Sequence, residues 1–372
     1  MFRQVGEDIK KVLNSQWRPI VLILGARQTG KTTLARSFVN PQEAIRFDFD
    51  ILDDINRFSS MDRESLHLFA KVNAGKYILI DEIQKYPPAT ATIKYLYDNF
   101  KIDNLKFVLT GSSEIKIRQG LGDTLTGRVY EVTLYPLSLT EIMIQSGNGS
   151  NTQEDQLQLR KYLLYGSLPA SQNMPLADYP SFLKEYVNNL LSKDVLEFGK
   201  IRKSAQIFFL AKLLAGQIGQ LVNFNELALN TQLSRETVMR FIDVFEQLGL
   251  TYRVSPISTN ERESIVKATK IYFTDLGIRN ALINNFDDLP IRLDRGQLLE
   301  NAVFMGIKRQ LDYKRDPYQM GFFRSSSGSE IDIVKKVNNV QELFEIKSSS
   351  KKSRNRNNVV SITSENAGDY LK

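Results

Sequence analysis

The stretch Gly25-Ala-Arg-Gln-Thr-Gly-Lys-Thr32 decides the fold, because its spacing of glycines, lysine and threonine is typical of a phosphate-binding loop. It follows the apolar run Ile20-Val-Leu-Ile-Leu24, which predicts a buried strand, and residues 33–38 supply apolar side chains at helical spacing. The glycines allow a tight turn whose backbone N–H groups face phosphate oxygens. The candidate nucleotide-binding residues are Gly25, Ala26, Arg27, Gln28, Thr29, Gly30, Lys31, Thr32 and Thr33.

Four residues in and after this loop predict phosphate chemistry. Lys31 is placed to reach the β- and γ-phosphate oxygens, and Thr32 offers a hydroxyl to Mg²⁺. The segment Tyr77-Ile-Leu-Ile-Asp-Glu82 predicts a buried strand that ends in two acids. Asp81 is then placed to hold Mg²⁺ through water, and Glu82 to orient or deprotonate an attacking water. The pair of acids indicates hydrolysis.

A third strand, predicted for residues 105–110, ends in hydroxyl side chains. Ser112, or failing that Thr110, is a candidate hydrogen-bond partner of the γ-phosphate or of the water. The alternative is a Thr-Gly-Ser turn that caps a helix.

With these motifs the chain resembles prokaryotic AAA-type ATPases whose ATPase domain is followed by a domain of unknown function with a nuclease-like fold. The resemblance covers nearly the whole sequence and implies ATP and Mg²⁺ as cofactors. The matching stretches are residues 25–33, Leu79-Ile-Asp-Glu82, Leu109-Thr-Gly-Ser-Ser113, Leu125-Thr-Gly-Arg128, Tyr165-Gly-Ser-Leu-Pro169 and Phe273-Thr-Asp-Leu-Gly277.

The resemblance also implies a catalytic role for Arg128. In such ATPases an arginine after the third strand often completes the site, commonly from a neighbouring subunit, and offsets charge on the γ-phosphoryl oxygens. The alternative is an ordinary surface arginine, and the residues themselves do not separate the two.

Composition restricts the class of protein. A chain of 372 residues with 42% hydrophobic content has room for two or three globular domains. It contains no cysteine and one histidine, which excludes disulfides and zinc sites of the Cys/His type. Neither a membrane-spanning apolar run nor a signal peptide is evident, so we expect a soluble, cytoplasmic protein that does not enter a membrane.

Alternating strand and helix signals predict an α/β fold of the P-loop NTPase class, AAA-type, with strands at 20–24, 44–49, 76–80, 105–110 and 129–134 in a mainly parallel sheet. A helical and winged-helix region and a small α/β nuclease-like domain are expected to follow. The predicted divisions are 1–135 for the ATPase domain, 136–204 for a helical lid, 205–280 for a winged helix and 281–372 for the nuclease-like domain.

The winged-helix prediction comes from helical patterns at 207–218 and 224–229 and from a third helix that Ser234 caps. Strands at 250–254 and 270–273 would form the wing, with a polar tip at 259–264. Arg235 and Arg240 fall off the apolar stripe of the third helix, where a recognition helix exposes groups to DNA. The alternative is a structural or protein-binding unit.

The C-terminal part carries a second set of candidate residues. The segments Ser329-Glu-Ile-Asp-Ile-Val334 and Leu343-Phe-Glu-Ile-Lys347 predict adjacent strands that resemble the PD-(D/E)XK nuclease signature. Asp332 and Glu345 would hold Mg²⁺ with Glu300 from the preceding helix, and Lys347 would steady the water or phosphate. The alternative is a polar cluster in a domain that no longer cuts. Residues 348–358 are polar, with no sign of an amphipathic helix followed by a strand.

The net charge of +7 is concentrated near the C-terminus. A basic cluster there is a candidate contact for a phosphate backbone or an acidic partner, and a solvated tail is the alternative. The expected partners are ATP, then DNA or RNA, a protein partner, and further copies of the chain. The members of the basic cluster are Lys347, Lys351, Lys352, Arg354 and Arg356.

Overall fold

The computed structural model describes residues 2–17, 19–102, 104–112, 125–147, 152–195, 204–257, 269–325, 329–347 and 359–372. The chain forms two compact units, Met1–Tyr135 and Pro136–Lys372. The predicted wing tip at 259–264, the polar stretch 348–358 and its Lys351, Lys352, Arg354 and Arg356 lie outside the described residues.

A five-stranded parallel sheet organises the N-terminal unit. Its strand order is β2-β3-β4-β1-β5, so the strand before the phosphate loop lies inside the sheet. The predicted α/β fold with a mainly parallel sheet is confirmed. The strands are β1 (Ile20–Leu24), β2 (Ala44–Asp48), β3 (Tyr77–Asp81), β4 (Lys106–Gly111) and β5 (Val129–Thr133). The helices are α1 (Gly6–Leu13), α2 (Lys31–Ser37), α3 (Leu52–Ser59), α4 (Arg63–Val72) and α5 (Ala89–Asn99).

Both faces of this sheet are covered. All five residues of β1 are buried, as expected for a parallel strand with helices on each side. On one face Ile20, Leu22 and Leu24 join a core with Phe47 and Phe107. Because every strand runs in the same direction, the loops after β1, β3 and β4 emerge at the same edge, where ligands bind in open parallel sheets.

The C-terminal unit begins with helices. They are α6 (Leu139–Ser146), α7 (Thr152–Tyr165), α8 (Tyr179–Asn189), α9 (Ser204–Gly216), α10 (Phe224–Thr231), α11 (Arg235–Gln247), α12 (Leu276–Leu282) and α13 (Arg295–Lys314). Ser234 caps α11 as predicted, because its hydroxyl accepts a hydrogen bond from the Thr237 N–H. The paired strands β6 (Thr251–Val254) and β7 (Lys270–Phe273) run antiparallel.

A four-stranded mixed sheet follows α13. Its strands are β8 (Tyr318–Arg324), β9 (Glu330–Val337), β10 (Val340–Ile346) and β11 (Val359–Ile362), in the order β11-β10-β9-β8. The predicted adjacency of the two acidic strands is confirmed, since Phe344 of β10 lies opposite Ile333 of β9. A strand does follow the polar stretch, because β11 pairs parallel with β10.

Two stretches that lie far apart in the sequence meet inside the C-terminal unit. The buried carboxylate of Asp275 caps α12 by accepting from the Ile278 N–H at 3.1 Å, and it accepts from the Ser167 N–H at 2.7 Å. A Cβ on Gly166 would lie 2.0 Å from the Asp275 carboxylate, so only glycine fits there. Burial raises the pKa of Asp275 to about 6.

Candidate functional site

The phosphate loop joins the end of β1 to the start of α2. Gly25 has φ 152°, and a Cβ at this position would lie 2.3 Å from the Leu134 carbonyl oxygen. Gly30 has φ 89° at the N-cap of α2. Both conformations favour glycine, so the two glycines of the motif are required by backbone shape and close packing. The loop thereby delivers backbone N–H groups to the start of a helix, where anions bind.

Lys31 lies folded over this loop. Its ammonium donates hydrogen bonds to the carbonyl oxygens of Gly25 at 2.9 Å and Ala26 at 2.8 Å. Burial lowers the pKa of Lys31 to about 8, although the nearby carboxylates of Glu82 and Asp81 act in the opposite direction. The charge of this lysine is therefore sensitive to what occupies the loop.

The side chain of Arg3 is hydrogen-bonded to the backbone of the phosphate loop, a contact that the sequence did not suggest. Its guanidinium donates to the Thr29 carbonyl oxygen at 2.7 Å and to the Tyr135 carbonyl oxygen at 2.5 Å. The Thr29 hydroxyl in turn donates to the Ala26 carbonyl oxygen at 2.9 Å. These bonds fix the middle of the loop to the end of the domain, and no local motif around Arg3 signals them.

Asp81 joins the loop to the rest of the site. The Thr32 hydroxyl donates to Asp81 Oδ2 at 2.6 Å, and the Thr110 hydroxyl donates to Asp81 Oδ1. Three predicted site residues from three separate elements therefore meet at the carboxyl edge of the sheet. Hydroxyl and carboxylate oxygens are the ligands that Mg²⁺ prefers.

Glu82 leaves the line of β3. Its φ of 52° is unusual for a residue with a side chain and turns the chain sharply after Asp81. The Ser112 hydroxyl donates to Glu82 Oε2 at 2.9 Å. Gln84, which the sequence did not suggest, donates from its buried amide to the same carboxylate oxygen and to Ser112 Oγ at 2.9 Å. Glu82, Gln84 and Ser112 thus form one hydrogen-bonded cluster beside Asp81.

Arg128 lies at the opposite edge of the sheet. The Ile20 N–H donates to the Arg128 carbonyl oxygen at 2.8 Å, which places Arg128 at the first residue of β1. The phosphate loop begins five residues later, about 16 Å along the strand. The guanidinium forms a bidentate ion pair with Asp98, with N···O distances of 2.7 and 3.0 Å. It lies beside an open pocket of about 590 Å³. Within one N-terminal unit, Arg128 does not join the cluster around Asp81.

The C-terminal candidates are brought only partly together. Asp332 accepts a hydrogen bond from the Ile346 N–H at 2.7 Å, and Lys347 forms an ion pair with Glu345 at 3.2 Å. Glu300 instead accepts from the Tyr272 hydroxyl at 2.5 Å and contacts an unpredicted residue, Lys270. Among the described residues, no three acidic or imidazole side chains form a group suited to a metal ion.

The candidate nucleic-acid contacts are exposed on α11. Arg235 lies at the first residue of the helix, and Arg240 lies over the ring of Phe241 at 5.6 Å. Asp243 on the same helix is ion-paired with Arg253 of β6. The negative charge of Asp243, which lies on the same helix as the two arginines, is therefore partly neutralised.

Comparisons with known proteins agree with this architecture. Residues 17–143 match the model of an AAA domain, and residues 156–289 and 295–368 match two domains of unknown function, DUF8612 and DUF4143. An uncharacterized protein of Methanocaldococcus jannaschii is 24% identical over 364 residues, covering 88% of this chain and 75% of the relative. One of Mycobacterium tuberculosis is 25% identical over 339 residues, covering 91% and 72%.

The solved structure of a Walker-type ATPase of Pyrococcus abyssi has a similar fold. It matches with a TM-score of 0.52 at 16% identity, covering 75% of this chain and 95% of that one. Separately, none of the helices formed by the described residues is both long and apolar enough to cross a membrane.

Proposed function

We propose, since residues 17–143 form an AAA domain, that the N-terminal unit binds ATP with Mg²⁺ and hydrolyses its terminal phosphate bond. The observation that carries this proposal is the 2.6 Å hydrogen bond between Thr32 and Asp81. It joins the phosphate loop to the strand end from which Glu82 also projects. A loop for phosphates and an acid for water at one sheet edge are what phosphate-bond hydrolysis requires.

In this proposal each group has a separate task. Lys31 and the loop N–H groups bind the phosphate oxygens of ATP. Thr32 and Asp81 would hold Mg²⁺, which supplies positive charge against the phosphates when it is bound. Glu82 accepts the proton of the attacking water, and Ser112 holds the carboxylate in position through the 2.9 Å hydrogen bond.

Two substitutions separate binding from hydrolysis. Lys31→Ala is expected to weaken binding of a fluorescent ATP analogue, and Glu82→Gln to preserve binding while stalling turnover. Lys10→Ala is the matched control, because Lys10 is an exposed lysine of α1 that pairs only with Glu7 at 3.2 Å among the described residues. Equal affinity in Lys31→Ala and Lys10→Ala would contradict the proposal.

Arg128 acts, we propose, on the nucleotide of a neighbouring copy of the chain. Its position about 16 Å along β1 from the loop supports action between subunits over action within one. Trp17 and Tyr97 line the same open pocket, which a neighbouring subunit could enter. In a neighbouring site the guanidinium would offset charge on the γ-phosphoryl oxygens.

The C-terminal unit is proposed to be the effector that ATP hydrolysis regulates, and nucleic acid is the first candidate partner. The exposed Arg235 and Arg240 on α11 support it, since α9, α10, α11 and the β6–β7 pair follow the order of a winged helix. The second candidate is a nucleotide-switched interaction protein with a catalytically inactive nuclease-like part. The contact between Glu300 and Lys270 favours it. The cytoplasmic location stays a prediction.

ATP turnover in the presence of nucleic acid separates these candidates. Duplex DNA, single-stranded DNA and RNA are added to the full chain and to a double variant with Arg235→Ala and Arg240→Ala. Stimulation that is lost in the double variant is expected if nucleic acid is the partner. If none of the three nucleic acids changes ATP turnover, nucleic acid is not the partner, and the nucleotide-switched interaction protein is the candidate that stays.

A further inference from the structure

A buried lysine lies inside an acidic cluster of the C-terminal unit, which consists of Glu300, Glu330 and Asp332. Lys270 belongs to β7, and its side chain is only 2% exposed. Its ammonium lies 3.0 Å from Glu300 Oε1 and 2.6 Å from Glu330 Oε1. The ring of Phe322 lies 5.2 Å from the same nitrogen. The ammonium therefore bridges two carboxylates that come from α13 and β9.

The surrounding groups hold this bridge in place. Tyr272, two residues along β7, donates its hydroxyl to the Glu300 oxygen that Lys270 contacts, at 2.5 Å. Asp332 lies on the same strand as Glu330 and two residues away, so the two carboxylates share a face of β9. Its Oδ2 is already engaged by the Ile346 N–H at 2.7 Å. Lys270, Tyr272, Glu300 and Glu330 thus form a connected set of contacts, and the Arg324 guanidinium lies 3.9 Å from Glu330 Oε2.

A divalent metal ion bound by Glu300 would lie beside the Lys270 ammonium. The resemblance to PD-(D/E)XK nucleases implies a Mg²⁺ held by Glu300, Asp332 and Glu345, but Glu300 Oε1 already binds both Tyr272 and Lys270. Two cations at one carboxylate oxygen in a buried place would repel each other strongly. The residues present therefore do not fit the metal that the resemblance implies.

We propose that Lys270 is the resident cation of this cluster and that the cluster binds no divalent metal ion while the lysine is present. The ammonium offsets the charge of the buried Glu300 and, together with the Arg324 guanidinium 3.9 Å from Glu330 Oε2, that of Glu330. The cluster then stabilises the packing of β7, α13 and β9 and does not cleave phosphodiester bonds. This inference concerns the C-terminal unit alone and does not depend on the ATP site.

The test compares stability and Mn²⁺ binding in variants of the full chain without nucleotide. Lys270→Met keeps the length of the side chain but removes its charge, and Lys270→Arg is the matched control that keeps a cation. Lys270→Met is expected to lower the melting temperature of the C-terminal unit by about 10 °C in EDTA, because the buried Glu300 loses its counter-charge and Glu330 keeps only Arg324. Mn²⁺ should restore part of this loss by filling the vacated position.

A second substitution assigns any Mn²⁺ effect to the cluster. Adding Glu300→Gln to Lys270→Met should abolish the recovery, whereas the unchanged chain and Lys270→Arg should show no Mn²⁺ response that depends on Glu300. The proposal is overturned if the unchanged chain binds more Mn²⁺ than its Glu300→Gln variant. It is also overturned if Lys270→Met folds and shows neither the stability loss nor the Mn²⁺ response. If Lys270→Met does not fold, the comparison of the unchanged chain with Glu300→Gln decides.

Discussion

Affinity for the triphosphate is expected to fall steeply above pH 8, because Lys31 must be charged to bind phosphate. Burial holds its pKa at about 8 in the empty loop, and phosphate oxygens would raise the pKa again on binding. Binding therefore takes up a proton above that pH. Between about pH 7.5 and about pH 9.5 the affinity should drop about 25-fold, or about 2 kcal/mol.

The assay is a fluorescence titration with a non-hydrolysable ATP analogue in Mg²⁺ across this pH range. The analogue is chosen so that its terminal phosphate is fully ionised over the whole range in Mg²⁺, because an imido or methylene bridge raises that pKa, and its own titration then does not contribute. Lys31→Arg should bind with a flat pH profile because a guanidinium stays charged, and Lys31→Met should bind weakly with a flat profile. An equally flat profile for the unchanged chain would refute the reasoning, since Lys31 would then not lose its charge in the empty loop.

Three further predictions concern other parts of the molecule. Chains with Arg128→Ala and chains with Glu82→Gln, each inactive alone, should regain ATP turnover when mixed, and no rescue at any protein concentration would contradict action between subunits. Gln84→Ala should lower kcat about 10-fold and leave KM unchanged, because Gln84 contacts Glu82 and not the loop; an equal change in KM would argue against this positioning role. Asp275 should make the free energy of unfolding of the C-terminal unit rise by about 1 kcal/mol from about pH 7 to about pH 5. Its pKa in the folded state is raised to about 6, so the folded state binds a proton in this range that the unfolded state does not bind. Asp275→Asn should remove that part of the pH slope in urea unfolding, and identical slopes in the two proteins would show that Asp275 does not titrate there.

The N-terminal sheet was predictable because its signals are local. A buried strand, a glycine turn and a helix follow one another within residues 20–37, and the predicted strands agree with the observed ones to within one residue at each end. The meeting of Thr32 and Asp81 follows from the parallel direction of the strands. The contacts of Gln84 and Arg3 could not be predicted, because Gln84 lies in a single 3₁₀ turn and Arg3 lies before α1, and neither segment is long enough to carry a periodic pattern.

The features of the C-terminal unit that the sequence did not predict depend on contacts between residues far apart in the chain. Gly166 and Asp275 belong to two separate stretches of the family resemblance, and only the folded chain shows that the absence of a Cβ on one makes room for the carboxylate of the other. The sequence predicts a wing strand at residues 270–273, and all four residues of β7 are buried. A strand that is buried on both faces loses the alternation from which side-chain direction is inferred. The sequence pattern therefore did not indicate that the Lys270 ammonium lies inside the acidic cluster.

The most direct test of the proposed ATPase activity is phosphate release by the purified chain at saturating ATP and Mg²⁺, with Glu82→Gln beside it. The unchanged chain should turn over ATP, and Glu82→Gln should lose at least about 100-fold in kcat while its affinity for ATP stays the same. Glu64→Gln, at an exposed acid of α4, should behave like the unchanged chain. Equal phosphate release by Glu82→Gln and the unchanged chain would contradict the assignment of the catalytic acid, and no ATP binding by either would contradict the ATPase itself.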